Sequence, residues 1–168
     1  VHPYCKRSIL LVIPAIMLVA MFMGSCKKNA DLSYVNTFLT NGTWTLASLQ
    51  VATYNGDTLK KTDTLNLNCN ERQQFIFDKS GMCTYENFYC IKQTESANWT
   101  ITDRDSVIIR TNIALLDDIN GVKIRPFAYT QVVNLGQNSL VLQTVKRDTL
   151  RLRPLLIRRR VSRYGFLH

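Results

Sequence analysis

Short stretches of alternating β-branched and aromatic residues, broken by polar turns, recur from Gly42 to Leu152. That period of two leaves little room for helix and limits the body of the chain to an all-β fold. The first such stretch starts at Gly42-Thr43-Trp44-Thr45-Leu46. Trp44, Leu46 and Ser48 fall on one face of it, and Thr45, Ala47, Leu49 and Val51 partly on the other. Tyr54-Asn55-Gly56-Asp57 supplies a turn, and Thr58–Asn68 alternates only weakly, as loop or short strand. Ala97–Thr102 and Ser106–Thr111 are joined by Asp103-Arg104-Asp105 at hairpin length. Leu115–Lys123, with Asn120-Gly121 inside it, reads as a loop crossing. Phe127–Leu135 and Ser139–Val145 flank Gly136-Gln137-Asn138 as a further hairpin, and Asp148–Leu152 adds a last strand before Pro154. About seven or eight strands at this spacing make a β-sandwich or an antiparallel barrel.

The clearest local unit runs from Cys69 to Cys90. Arg72–Phe77 and Met82–Ile91 flank Asp78-Lys79-Ser80-Gly81, a type I turn with glycine at its fourth place. Simple pairing sets Phe77 against Met82 and Cys69 against Cys90, while a bulge at Gly81 shifts the register by one and makes the cysteines diagonal neighbours. Either arrangement leaves Cys69 and Cys90 near the ~5.5 Å Cα separation of a disulfide. Cys83 lies an odd number of residues from Cys90 and points to the opposite face, so a Cys69–Cys90 bridge with Cys83 free is expected. The other outcome is three unpaired thiols.

Ahead of the body lies a different kind of sequence. Lys6 and Arg7 precede an unbroken apolar run, Ile9–Met23, of 15 residues, which ends on Gly24-Ser25 before Cys26. A positive start, an apolar centre and a small-residue exit make an export signal. A membrane-spanning helix needs roughly 20 residues, and Pro14 would kink this one, so cleavage is expected rather than a transmembrane anchor. Export puts the remaining cysteines in a disulfide-permissive compartment. Lys27–Thr40 reads as a polar tether with a short helical turn near Leu32–Leu39.

Charge narrows the function classes. The net charge is +9, yet the residues from Cys26 to Val145 balance; Lys6 and Arg7 supply two of the nine, and the rest comes from Lys146 onward, where eight cations face Asp148 alone. A neutral body argues against a nucleic-acid-reading domain, and no nucleic-acid partner is expected. Leu155–His168, with Arg158, Arg159, Arg160 and Arg163 beside Tyr164 and Phe166, reads as a basic tail able to touch anionic lipid, lipopolysaccharide or another envelope protein.

Catalytic chemistry is sparse. The histidines are His2, in the leader, and His168, at the end of the sequence, which leaves a histidine triad or a histidine-based zinc site without ligands. Cys83 has no base to activate it and reads as a small buried hydrophobe. Asp117-Asp118 beside Asn120, or Asp103 with Asp105, offers oxygen ligands for a hard cation, but acidic turns are usually solvated and no metal or other cofactor is assigned. Asn41-Gly42-Thr43 and Asn98-Trp99-Thr100 are formal glycosylation sequons. No enzymatic activity is expected.

Two resemblances follow from these residues. Met23-Gly24-Ser25-Cys26 resembles the exit of a bacterial lipoprotein signal, with Met23 where leucine is usual. The resemblance implies removal of residues 1–25 and lipidation of Cys26, which would anchor the protein stably to a membrane. Lys27-Lys28-Asn29 does not resemble an acidic surface-export signal, so an outer-membrane lipoprotein facing the periplasm is expected. In the body, Gly42-Thr43-Trp44 resembles the G-x-W opening of lipocalins. Cys69-Asn70-Glu71, Phe75-x-Phe77-x-x-x-Gly81, Cys90, Trp99 and Leu135–Leu142 together resemble the small lipocalin-like domains of bacterial lipoproteins, over about Leu39 to Val145. The T-D-x-x-Y signature of lipocalins proper is absent.

The family implies an antiparallel up-and-down β-barrel of about eight strands. Trp44 would sit at its closed end with a late basic residue, Arg151 or Arg153, lying over the ring. A small hydrophobic or amphipathic ligand would occupy the barrel, lined by Trp44, Leu46, Phe75, Phe77, Phe88 and Trp99. The same residues would equally fill a solid core, since eight strands can close either way. The expected organisation is therefore signal 1–25, tether 26–39, barrel 40–153 and basic tail 154–168. The alternative role is a structural or assembly lipoprotein docking through its outer face or tail.

Overall fold

The computed structural model describes residues 32–65, 69–103, 106–117 and 121–168. The expected signal, Cys26 and the tether up to residue 31 lie outside the described residues. The chain divides into units Val1–Ala30 and Asp31–His168, and the described helix and strands all belong to the second.

Helix α1 (Leu32–Leu39) is followed by strands β1 (Thr43–Asn55), β2 (Thr58–Leu65), β3 (Gln74–Phe77), β4 (Met82–Glu86), a 3-10 turn (Phe88–Cys90) and β5 (Thr94–Asp103). Then come β6 (Val107–Thr111), β7 (Leu115–Asp117), β8 (Val122–Ile124), β9 (Thr130–Leu135), β10 (Ser139–Leu152) and β11 (Leu155–Leu167). The sheet order β1-β3-β4-β5-β6-β9-β10-β11 closes when β11 pairs back onto β1. The result is a closed, antiparallel, eight-stranded up-and-down barrel of lipocalin-like form, as the strand spacing and the resemblance predict. Closure removes the sheet edges that an open meander would expose.

The largest correction falls on residues 154–168. The expected tail is β11, a 13-residue strand hydrogen-bonded to β10 on one side and β1 on the other. Arginines at 158, 159, 160 and 163 hide the alternation that Ser162, Tyr164 and Phe166 carry. Tyr164 and Phe166 are buried, and the flanking arginines reach solvent on long stems. Asp148–Leu152, expected as a separate strand, continues β10.

Beyond the barrel's first turns, two long hairpins extend it. From Leu49 onward β1 pairs with β2 instead of β3, and past Gln143 β10 pairs only with β11. A four-stranded ribbon, β2-β1-β11-β10, therefore projects past the other strands. A bulge separates its two zones: Leu46 faces Phe166 and Ser48 faces Gly165, which makes Ala47 the extra residue. The bulge reverses the alternation, so Leu49 is buried and Ser48 exposed, opposite to the simple reading.

Other differences are local. Leu115–Lys123 is a small β7–β8 hairpin rather than a loop crossing. The helical turn Leu32–Leu39 is a full α-helix that belongs to the barrel body, because Val35 and Leu39 are buried in the core. The hairpin around Gly81 takes the bulged register, pairing Phe75 with Tyr85 and Phe77 with Cys83. Gly81 has φ +87°, and Asp78 Oδ1 accepts from Ser80 N at 2.7 Å to hold the turn. Met82–Ile91 is a shorter strand than expected, ending at Glu86 before the 3-10 turn.

Candidate ligand-binding site

The six residues expected to line a ligand pocket fill the barrel instead. Trp44, Phe75, Phe77, Phe88 and Trp99 are buried, and Leu46 packs partly buried against them. Phe75 lies 4.2 Å from Phe77 and 5.0 Å from both Tyr85 and Phe127, centroid to centroid. Phe88 meets Tyr85 edge-on at 5.4 Å, and Trp99 meets Phe77 edge-on at 5.3 Å. Such offset and edge contacts are the favoured packing of aromatic quadrupoles. The Trp99 indole also donates to the Asp78 carbonyl at 3.1 Å.

The closed end is built around Trp44. Its Nε1 donates to the Leu39 carbonyl at 2.9 Å, tying α1 to the first strand. The ring that covers it belongs to His168, with centroids 3.8 Å apart. Neither Arg151 nor Arg153 fills that place: both lie exposed at the far end of the β10–β11 hairpin. His168 Nδ1 lies 3.1 Å from the Thr43 carbonyl, and a Cβ on Gly42 would stand 3.3 Å from its ring.

The space that remains is at the opposite, ribbon end. A half-open cavity of about 620 Å³ lies on the inner face of β1, β10 and β11, within the range of roughly 300–1,000 Å³ common for small-molecule sites. Its floor follows the period of two: Val51 on β1, Thr144 and Lys146 on β10, and Arg160, Ser162 and Tyr164 on β11. Register places Val51, Ser162 and Thr144 in one row and Arg160 and Lys146 in the next. Opposite stand Tyr89 from the 3-10 turn, Asp117 and Ile124 from the β7–β8 hairpin, and Arg125, Pro126 and Tyr129 from the segment that follows. None of the six predicted residues lines this cavity.

Tyr89 is held there by a strained turn. Asn87, Tyr89 and Cys90 have φ of 57°, 51° and 63°, a left-handed conformation unusual for residues other than glycine. The Tyr89 N–H donates to Gln73 Oε1 at 3.1 Å and Asn87 Nδ2 to the Arg72 carbonyl at 3.0 Å. The expected Cys69–Cys90 disulfide is present, with Cα atoms 5.1 Å apart, and it fastens the end of the same turn. Cys83 is free and buried, its sulfur 3.2 Å from Thr111 Oγ1. Burial pushes its thiol pKa up, against the smaller effect of that hydroxyl.

Electrostatics set the character of the cavity. Burial raises the Tyr164 and Tyr89 phenols above their usual range, Tyr164 far above it, with the Asp117 charge adding to the effect at Tyr89. Both are neutral hydroxyls at ordinary pH. Asp148, one row further along β10, accepts from Arg158 at 3.2 Å and Arg160 at 3.4 Å. Desolvation opposes ionisation of Asp148, but the Arg158 hydrogen bond and the charges of Lys146, Arg160 and Arg158 outweigh it and lower its pKa.

Sequence reasoning did not assign Tyr89, Arg125, Lys146, Arg160 or Tyr164 to a cavity, having placed Arg160 and Tyr164 in a basic tail. A usable signal existed for three of them: Thr144 and Lys146, and Arg160, Ser162 and Tyr164, alternate once 155–167 is read as a strand. Asp118, Asn120, Arg104 and Asp105 of the two acidic turns lie outside the described residues. Among the described residues no three His, Cys, Asp or Glu side chains converge as metal ligands, and no helix is long and apolar enough to cross a membrane. No protein-family model, curated protein or solved structure matches this chain.

Proposed function

We propose that this protein is a lipid-anchored, non-enzymatic, lipocalin-like domain of the bacterial cell envelope that binds a small amphipathic molecule at the mouth of its barrel. The observation that carries the binding role is the cavity of about 620 Å³ beside a barrel whose centre is otherwise packed. A domain built only as a scaffold gains nothing from leaving that space over a polar and aromatic floor. The anchoring role rests on Met23-Gly24-Ser25-Cys26 after the apolar run, and Lys27-Lys28-Asn29, unlike an acidic surface-export signal, favours an outer-membrane position facing the periplasm.

Native mass spectrometry of the protein extracted from bacterial membranes tests both parts. The expected result is a mature chain beginning at an acylated Cys26 and carrying a small-molecule adduct. An unmodified chain that retains residues 1–25 would end the anchoring role, and a chain without adduct would end the binding role.

A second reading, docking to lipopolysaccharide through the outer surface, is favoured by the ribbon's tip. Leu152 and Leu155 face each other there, 77% and 63% exposed, flanked by Arg151 and Arg153. Apolar side chains ringed by cations suit an anionic amphiphile. Replacing both leucines with serine should weaken co-sedimentation with purified lipopolysaccharide, and unchanged binding would discard this reading. The paired substitution is preferable to removing residues 155–168, which would take out the closing strand.

A further inference from the structure

We propose that the molecule held at the barrel mouth is an amphipathic anion, its acidic head met by Arg125, Lys146 and Arg160 and its apolar body laid against Val51, Ile124 and Tyr164. The proposal rests on the cavity being a binding site and names the class of ligand it takes. Among the described lining residues three are cations and one, Asp117, is a carboxylate. Arg160 already shares Asp148 with Arg158. Arg125 and Lys146 form no ion pair with any described residue. Among the described residues the wall therefore carries more positive than negative charge, although the Lys146 charge also acts on Asp148. A concave, half-enclosed surface with an excess of one sign focuses its field and strengthens attraction for an opposite charge relative to open water.

The hydrogen-bonding inventory points the same way. Lysine and arginine only donate, and a neutral tyrosine donates through its hydroxyl. Tyr89 and Tyr164 hydrogen-bond each other, and Tyr164 also meets Ser162 and Thr144, so the donors left over for an acceptor are those of Arg125, Lys146 and Arg160. A guanidinium receives a carboxylate or phosphate in bidentate fashion, which neutral alcohols cannot match. Among the described residues the Arg160 Nε hydrogen has no acceptor, as is also true of Arg158 and Arg159. Val51, Ile124, Pro126 and the ring faces give an apolar body a surface to lie against, beside the Thr144 and Ser162 hydroxyls. A carboxylate on an aliphatic or aromatic body, or a phosphate monoester of one, has this chemistry.

The test uses the full chain in a neutral maltoside detergent, with octanoate, octyl phosphate and 1-octanol as probes of equal chain length, read by native mass spectrometry. At least one anion should bind with an apparent Kd about tenfold or more below that of octanol, equivalent to about 1.4 kcal/mol. Whichever anion binds tighter separates a carboxylate from a phosphate head. The double variant Arg125→Glu/Lys146→Glu, at two exposed positions, should lose the preference while still binding octanol. Arg147→Glu/Arg163→Glu makes the same change in net charge on the outward face and should keep it. Equal binding of anions and octanol, or a preference that survives in Arg125→Glu/Lys146→Glu, overturns the anion proposal and leaves the cavity as a site. Failure of all three probes overturns both.

Discussion

His168 does for Trp44 what a late arginine was expected to do, and its contacts set the scale of its effect. An aromatic pair adds about 0.5–1.5 kcal/mol beyond its buried area. His168→Ala should therefore destabilise the fold by about 1 kcal/mol in urea denaturation and shift the emission of Trp44. Gly42→Ala should cost more, about 1–3 kcal/mol, because Gly42 has φ +125° and a Cβ would press on the same ring. A Gly42→Ala protein as stable as the parent would show that His168 is not seated against that backbone. Cys83 offers a third check. Buried, with its thiol pKa raised chiefly by desolvation, it should be alkylated by iodoacetamide only at the rate at which the protein opens. Modification in the absence of denaturant as fast as in its presence would contradict that burial.

Among the elements, β11 and the Phe88–Cys90 turn decide most. β11 supplies Tyr164 and Phe166 to the core and satisfies backbone groups of two neighbours. Removing residues 155–168 should leave β1 and β10 as open edges and produce an aggregating chain rather than a trimmed barrel, measurable by size-exclusion chromatography. The disulfide works at the same scale. Closing a loop of about 20 residues stabilises by roughly 3 kcal/mol in the chain-entropy model. Cys69→Ser/Cys90→Ser should lose about that much in a denaturant titration. It should also relax the left-handed turn that presents Tyr89, so octanoate binding should weaken even under conditions where the barrel stays folded.

For the molecule as a whole, pH acts through groups whose pKa values are shifted in opposite directions. Tyr85 and Tyr164 have phenol pKa values raised well above 10.0, with desolvation the leading cause. The native state holds those protons more tightly than the unfolded chain does. Their contribution is thus complete below pH 10 and is lost as pH rises beyond it. Thermal unfolding should fall steeply above pH 10, with their phenolate absorbance appearing together with unfolding. Asp148 acts at the other extreme. Its folded pKa lies below 3.8, so its ion pairs contribute above that pH and vanish as pH falls through the lower folded value. The ribbon should then gain hydrogen exchange in acid before the barrel core does.

Local chemistry was enough to read the all-β class, the Gly81 hairpin, the Cys69–Cys90 pair and a helical turn at Leu32–Leu39, though not that helix's place in the core. Each depends on residues close in sequence or on a period of two, and neither needs the rest of the molecule. What alternation cannot carry is a bulge or a charged strand. Ala47 reverses the faces of β1 through its partner β11, and nothing near Ala47 announces it. The arginines of β11 look like a solvated tail until two neighbouring strands take up its backbone and the charged ends find Asp148, Tyr54 and Gln143. The cavity depended on both. It joins β1, β10 and β11 to the Phe88–Cys90 turn and the β7–β8 hairpin, segments brought together only by closure of the barrel, because a concave site is a property of where side chains end up and not of the order in which they are linked.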